Sequence, residues 1–314
     1  MDAPCPVCRQ TRFEVWRTVR DTNQDVAGRW TVLRCSDCGL GRLDPFPSEE
    51  DVAGFYRDVF YTGDGERFSP AIEGLRQAIA GLRGWTIRRL HKGAGRVLDF
   101  GAGSGHFVAA MRRVGWDATP FDPYSGSRAG DGRAMTLANE DFDVVTLWYV
   151  FEHLRNPREF LAEARRVLRP GGLLVLAQQD FSSVQARLFG SRWQFLDPPR
   201  HLFHFDPVNL ARLARECGFA VATVEHASLE MGPYCILQSL LNVLTGNENY
   251  LFKFLKNRGL GAAGRGHTPR GRFALGAAAS LVLLPVLAPL SLLMYGVLLM
   301  VGSGDVFSLY LRKI

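Results

Sequence analysis

From Arg96 onward the chain alternates short apolar runs with stretches of helical periodicity, and this rhythm predicts a parallel sheet built from β-α-β units. Apolar runs at 96–100, 117–121, 143–148, 172–177 and 219–226 read as strands, and amphipathic stretches at 104–114, 157–168 and 207–217 read as helices. The segment 178–206 is too long for an ordinary connection in a compact domain and predicts a functional insertion. Upstream, the alternation in FEVWRTV and WTVLRC predicts two strands of a small module that ends near residue 45, with Pro45 and Pro47 punctuating its exit. Residues 48–92 read as helical, with Glu49, Glu50 and Asp51 after Ser48 as an acidic first turn and a second helix over 69–91. The pattern then breaks: from Phe273 to Gly304 there is no charged residue, a run longer than a buried helix of a soluble protein uses. The expected organisation is a module at 1–45, a helical lead-in or lid at 46–95, an α/β core at 96–230, a basic and apolar segment at 231–304 and a final strand at 305–314.

Composition narrows this picture. With 314 residues there is room for one α/β domain of about 200 residues and smaller appendages. Hydrophobic content of 47% and charged content of 22% are those of a globular protein. A net charge of +6 predicts no nucleic-acid groove by itself, so position matters more than sum. Lys253, Lys256, Arg258, Arg265, Arg270 and Arg272 lie just ahead of the apolar segment, where they suit the anionic cytoplasmic surface of a membrane. The first residues lack an apolar signal core, so a cytoplasmic, reducing environment is expected, in which cysteines serve as ligands or core residues.

Four of the six cysteines are paired by spacing. Cys5-x2-Cys8 and Cys35-x2-Cys38 have zinc-ribbon spacing: each turn presents two thiolates, and a structural zinc takes four in a tetrahedron. Gly39 frees the turn after the second pair. The alternative is a chance pairing of buried thiols. Cys217 and Cys235 read as core.

The candidate ligand loop joins a strand to a helix as Asp99-Phe100-Gly101-Ala102-Gly103-Ser104-Gly105. Glycines allow a tight turn and close backbone approach, and the helix start offers free N–H groups, which would serve a dinucleotide or a phosphate equally well. Two acids discriminate. Asp99 would set like charge against a pyrophosphate but suits an ammonium group, and Asp122, closing the next strand, can accept hydrogen bonds from ribose hydroxyls.

In their order, VLDFGAGSG, FDP, DFDVVTLWYVFEHLRNP and LAEARRVLRPGG make residues 96–226 resemble the class I S-adenosylmethionine-dependent methyltransferases, nearest to the small-molecule branch that methylates quinones and sugars. The resemblance implies a Rossmann-like doubly wound sheet and S-adenosylmethionine as cofactor. It further implies Gly101, Gly103 and Gly105 at the methionine and ribose end, Asp99 at the amino group, Asp122 at the ribose, Ala102 and Pro123 among the cofactor contacts, and an antiparallel last strand. Between Asp122 and Asp143 the chain is short and glycine-rich, a departure that leaves the third strand and the adenine-contacting acid unplaced.

Trp148 and Tyr149 end a parallel strand, where ligands sit in such sheets, and are expected in the pocket wall, Tyr149 also in catalysis. Asp143 reads as the start of that strand. His153 is the natural general base for a hydroxyl acceptor, or else a cap on the sheet edge. In the insertion His201 is a second candidate base, and His204 reads as a packing or helix-entry residue before Asp206-Pro207. No carboxylate accompanies the His201-x-x-His204 pair in sequence, so zinc is not expected there.

The 32 uncharged residues would rise about 48 Å as one helix, past the roughly 30 Å of hydrocarbon. Pro285 and Pro289 sit mid-run, and residues 305–313 read as a strand that must rejoin the cytoplasmic sheet. A helical hairpin, 273–284 and 290–302, dipping into one leaflet is therefore expected, with a single span as the alternative. The expected function is methyl transfer, O-methylation by default, to a lipid-linked sugar, quinone precursor or other amphiphile at the cytoplasmic face of a membrane, with no nucleic acid as partner. Two alternatives are a ribosomal-RNA methyltransferase, which predicts a basic cleft and no apolar tail, and a non-catalytic membrane scaffold, which predicts a broken glycine loop.

Overall fold

The computed structural model describes residues 3–57, 70–122, 137–229, 231–246, 248–256 and 269–314. Near the N-terminus β1 (Phe13–Val19), β2 (Trp30–Cys35) and β3 (Gly41–Asp44) pair antiparallel in sequence order, followed by α1 (Glu49–Arg57) and α2 (Pro70–Leu90). The core then runs β4 (Arg96–Phe100), α3 (His106–Arg113), β5 (Asp117–Phe121), β6 (Phe142–Trp148), α4 (Pro157–Val167) and β7 (Leu168–Gln179). The expected insertion contains α5 (Val184–Phe189) and the two-residue strand β8 (Phe203–His204), after which come α6 (Pro207–Glu216) and β9 (Phe219–Glu225). Three helices, α7 (Gly232–Thr245), α8 (Tyr250–Lys256) and α9 (Arg270–Met300), precede the last strand β10 (Val306–Lys313).

The central sheet has the order β5-β4-β6-β7-β10-β9, with β10 antiparallel between β7 and β9 and the β4, β5, β6 and β7 pairings parallel. This is the Rossmann-like arrangement with an antiparallel last strand that the motif order implied. Strands such as β7, buried from Gly172's neighbour Leu173 to Gln179, read as unbroken apolar runs because helices cover both sheet faces. The start of α6 follows the expected chemistry: the Asp206 side chain accepts the Val208 and Asn209 N–H groups, and Pro207 occupies the first turn, where its missing donor costs nothing. Among the described residues no strand stands between β5 and β6, and Pro123 lies outside the described residues.

Two features were not visible in the pattern. Strand β8 pairs with β3, so the insertion completes the small N-terminal sheet in the order β1-β2-β3-β8. The two units also share one core, in which Cys5, Val7, Cys35 and Leu40 pack with Leu98, Phe151 and Leu202. Arg158 of α4 fastens them, donating to the carbonyls of Pro6 and Val7 at 2.5 and 3.0 Å.

The expected hairpin is corrected: Arg270–Met300 is one 31-residue helix that runs through Pro285 and Pro289. Each proline removes one backbone donor, whereas a break would leave several groups unpaired in apolar surroundings. By length and composition the helix is apolar enough to cross a membrane, yet it is tied to the protein along its length. Phe273 and Ala277 pack on Tyr250, Leu287 on Leu237 and Leu241, and the Tyr295 ring lies over Gly232 while its hydroxyl accepts the Ser228 N–H at 2.6 Å. Its buried stripe, Phe273, Ala277, Ser280, Leu287, Ser291 and Tyr295, includes small and hydroxyl residues. The opposite stripe is aliphatic and exposed, with Leu275 at 74%, Val282 at 77%, Val286 at 67%, Leu293 at 66% and Met300 at 80%. One member of the expected basic surface run is also corrected. Lys253 is buried and pairs with Asp25 at 2.7 Å, because α8 packs against the loop between β1 and β2.

Candidate functional site

The glycine loop closes over the ends of β4 and β5. Gly101, Gly103 and Gly105 have φ of 78°, 53° and 74°, a region open to glycine at little cost. The N–H groups of Gly101 and Ala102 donate to the Phe121 carbonyl at 2.7 and 3.2 Å, and that of Gly103 donates to the Asp122 carboxylate at 3.1 Å. A Cβ on Gly101 would lie 2.4 Å from Val150 Cγ2, so the loop packs against the turn after β6. Asp99 is buried at the end of β4 and accepts the Thr146 hydroxyl at 2.7 Å. Burial pushes its carboxyl up to about 7. A buried acid waiting for a cationic partner, beside a second buried acid, Asp122, fits an amino-acid ammonium and a ribose better than a pyrophosphate.

Trp148 packs on Phe107 of α3, with the Arg83 guanidinium 4.9 Å over its ring. Tyr149 has φ of 59°, a sparsely populated conformation for a side-chain-bearing residue. Its hydroxyl is 3.1 Å from Ser228 Oγ, in the loop after β9 that also meets Tyr295. The expected catalytic tyrosine is thus turned toward α9. Asp143 is structural as read: it accepts the Arg96 N–H at 2.7 Å and pairs with Arg169 at 2.7 Å.

The two candidate histidines, 48 residues apart in sequence, meet with ring centroids 4.7 Å apart. His153 Nδ1 is 2.9 Å from the Arg200 carbonyl and His201 Nδ1 is 2.7 Å from the Phe195 carbonyl. Both Nδ1 atoms are therefore donors, and in a neutral ring the lone pair then lies on Nε2. Those Nε2 atoms lie 4.0 and 3.8 Å from Glu152 Oε1, which corrects the expectation that no carboxylate accompanies His201. Glu152 is fully buried and receives the amide N–H groups of Gln178 at 2.9 Å and Gln179 at 2.7 Å. Burial, reinforced by His153, holds the His201 imidazole well below its ordinary pKa, so it is neutral at physiological pH. His204 in β8 is stacked on Phe181 and meets the His201 ring edge-on at 6.1 Å, its pKa lowered by burial to about 4, a packing residue as read.

Arg200 positions this cluster and was missed in the sequence. It is buried among Asp21, at 2.7 Å, and Asp197, joining the insertion to the loop after β1. Burial alone would raise the Asp197 carboxyl, but Arg200 outweighs it and holds the group well below the usual carboxylate range. The Gln178-Gln179-Asp180 run at the end of an apolar strand was the available signal, since three polar residues there need partners.

At the far edge the sulfurs of Cys5, Cys8, Cys35 and Cys38 all lie within 4.8 Å of one another, with Cys5 to Cys38 and Cys8 to Cys35 at 3.5 Å. These separations exceed an S–S bond and match the edges of a tetrahedron around an ion bound at about 2.3 Å.

Residues 73–224 match a family described as a methyltransferase domain. The chain is 30% identical over 180 residues to a ubiquinone biosynthesis O-methyltransferase of Maricaulis maris, covering 49% of this chain and 70% of that protein. It is 33% identical over 157 residues to a demethylmenaquinone methyltransferase of Renibacterium salmoninarum, covering 43% of this chain and 61% of that one. Among solved structures, the Burkholderia thailandensis 1,6-didemethyltoxoflavin-N1-methyltransferase, holding its substrate and S-adenosylhomocysteine, aligns at 17% identity and a TM-score of 0.43, over 61% of this chain and 88% of that one.

Proposed function

Given that the chain belongs to the class I S-adenosylmethionine-dependent methyltransferases, we propose that it O-methylates an amphiphilic acceptor, a quinone precursor or lipid-linked sugar, while resting on the cytoplasmic face of a membrane. The observation that carries this reading is α9, whose small and hydroxyl residues face the protein while its aliphatic stripe faces outward. Water-soluble proteins seldom expose an apolar surface of this extent. A helix held at both ends and its middle cannot stand across a bilayer, so α9 lies in the plane of one leaflet. Tyr295 of α9, Ser228 and Tyr149 connect that surface to the carboxyl end of β6, beside the cofactor loop. The His153–His201 pair, in which the neutral His201 ring keeps its lone pair on Nε2, suits deprotonation of a hydroxyl acceptor. The four cysteines hold a structural zinc.

Flotation with vesicles containing anionic phospholipid tests the membrane reading. The wild-type chain is expected to float, and the triple variant Val282→Asp, Val286→Asp, Leu293→Asp to bind on the order of a hundredfold more weakly while keeping its cofactor affinity, because these side chains touch little of the protein. A wild-type chain that stays with the aqueous fraction, or a triple variant that floats equally well, overturns it. For the acceptor, methyl-labelled cofactor incubated with membrane lipid extract should leave label in the organic phase in a base-stable ether; label confined to water-soluble products refutes the amphiphile.

Cofactor binding should depend on pH through Asp99. In the free protein its pKa is raised to about 7 by burial, so below that value the carboxyl is neutral and must release a proton to receive the cofactor ammonium. Affinity for S-adenosylmethionine is expected to fall by up to about tenfold per unit as pH drops from about 7 to about 5, with proton release in calorimetry. Asp99→Asn should bind weakly and without that slope. A flat wild-type profile would exclude Asp99 as the ammonium partner.

A further inference from the structure

We propose that Asp305, with Trp193 and Gln194 of the insertion, forms a buried polar subsite that receives a pair of neighbouring hydroxyl groups on the head of the acceptor. Its place in the fold suits a ligand. β10 runs antiparallel to β7 with Val306 opposite Gln179, so Asp305, just before β10, stands at the carboxyl end of the parallel strands. The Asp305 carbonyl accepts the Asp180 N–H at 2.9 Å, which fixes the backbone there.

Its side chain is not satisfied in the same way. Asp305 is fully buried, and among the described residues neither carboxylate oxygen has a hydrogen-bond partner. The Cys235 thiol, a weak donor, lies beside it, and Asp180 adds a second carboxylate nearby. Burial pushes the Asp305 carboxyl up to about 7. A buried acid left without donors costs stability, and a ligand that supplies them is a physical reason for its presence.

Two residues of the insertion share the deficit. Ser239 Oγ accepts the Gln194 N–H at 3.1 Å and lies 3.9 Å from Cys235 Sγ, which ties Gln194 to the surroundings of Asp305. Trp193 packs in one cluster with Cys235, Val306 and Tyr149. Both side chains are buried, yet Gln194 Oε1 and Trp193 Nε1 also lack partners among the described residues. Together with Asp305 they offer more acceptor oxygens than donors, so a matching ligand brings hydroxyl hydrogens. An oxidised quinone ring, with carbonyl acceptors alone, does not match, and a phosphate would meet Asp305 and Asp180 as like charges. A sugar ring or a catechol, each with neighbouring hydroxyls, does. Tyr295 of α9 lies near Asp305, and its hydroxyl connects to Tyr149 through Ser228, so the subsite adjoins the route from the apolar helix to the pocket wall. Because all three side chains are buried, a head group enters as the insertion parts from α7. The role toward the acceptor rests on the O-methyltransferase reading.

The test uses the full-length protein with S-adenosylhomocysteine bound. The probes, kept below their micellar concentrations, are octyl glucoside, 4-octylcatechol and the fully O-methylated counterpart of each. In calorimetry one hydroxylated probe is expected to bind at least about tenfold more tightly than its methylated counterpart, and which one does so distinguishes a sugar head from a catechol. Asp305→Asn, which keeps the side-chain shape, should erase that preference with S-adenosylhomocysteine affinity and vesicle flotation unchanged. Should that variant lose S-adenosylhomocysteine, Trp193→Phe is read instead and should weaken the preferred probe severalfold. Equal binding of hydroxylated and methylated probes, or binding of none, overturns the subsite and shows that the buried groups hold water only. A preference that persists in a variant still binding S-adenosylhomocysteine overturns it as well. A probe that binds through Asp305 yet takes no label from methyl-labelled cofactor leaves the subsite standing and refutes its role toward the acceptor.

Discussion

Cys35→Ser is expected to strip zinc from freshly purified protein and to unfold the N-terminal sheet, with damage reaching the central core. The sheet of β1, β2 and β3 is too small to bury a core of its own, and domains of that size depend on a metal or another staple. Structural zinc supplies on the order of 10–16 kcal/mol of apparent binding free energy in isolated finger peptides, a quantity that is also folding free energy. Here the four sulfurs form one cluster, and Cys5 and Cys35 are themselves buried beside Val7 and Leu40 in the core that includes Leu98 and Phe151. Losing the knuckles therefore exposes a flank of the methyltransferase core and frees Arg158 from the Pro6 and Val7 carbonyls. Metal analysis should fall from one zinc per chain toward none, and amide exchange across residues 5–44 should accelerate by orders of magnitude. Fresh, unchelated wild-type protein without zinc would refute the reading outright, as would a Cys35→Ser chain that melts with the wild type.

Gly101→Ala is expected to abolish useful cofactor binding without unfolding the sheet. The added Cβ meets Val150 Cγ2 at 2.4 Å and must also hold φ at 78°, so the loop has to move, taking with it the N–H groups of Gly101 and Ala102 that anchor it to Phe121. A displacement of about an ångström between Asp99 and Asp122 should weaken S-adenosylmethionine by at least a hundredfold, about 3 kcal/mol. Gly115→Ala is the control: φ there is 87° and nothing lies within 4 Å of the new Cβ, so it carries only the backbone cost, about 1 kcal/mol of stability, and leaves affinity intact. Equal cofactor affinity for Gly101→Ala and wild type in calorimetry would show that the loop is not the cofactor site.

The strand-to-helix loop with Asp99 and Asp122, the β-α rhythm from Arg96, the CxxC pairs and the uncharged tail were all legible because each is a local relation. Turn chemistry, side-chain period and ligand spacing act over a few residues, and the structure places them near the expected bounds. Local signals could not say what meets across the fold. Glu152 stood in plain view beside His153, but only the packing of the insertion, fastened by Arg200 to Asp21 and Asp197, brings His201 within 3.8 Å of it. Tertiary contacts likewise decided α9. Pro285 and Pro289 argued for a hairpin, yet the helix continues, because contacts with Tyr250, Leu237 and Gly232 along its whole inner stripe outweigh two missing donors. Sequence thus determined which chemistry the chain carries, through short-range periods and spacings. Where those groups converge depended on long-range packing, whose energy is shared among residues far apart in the chain and leaves no pattern in any one stretch of it.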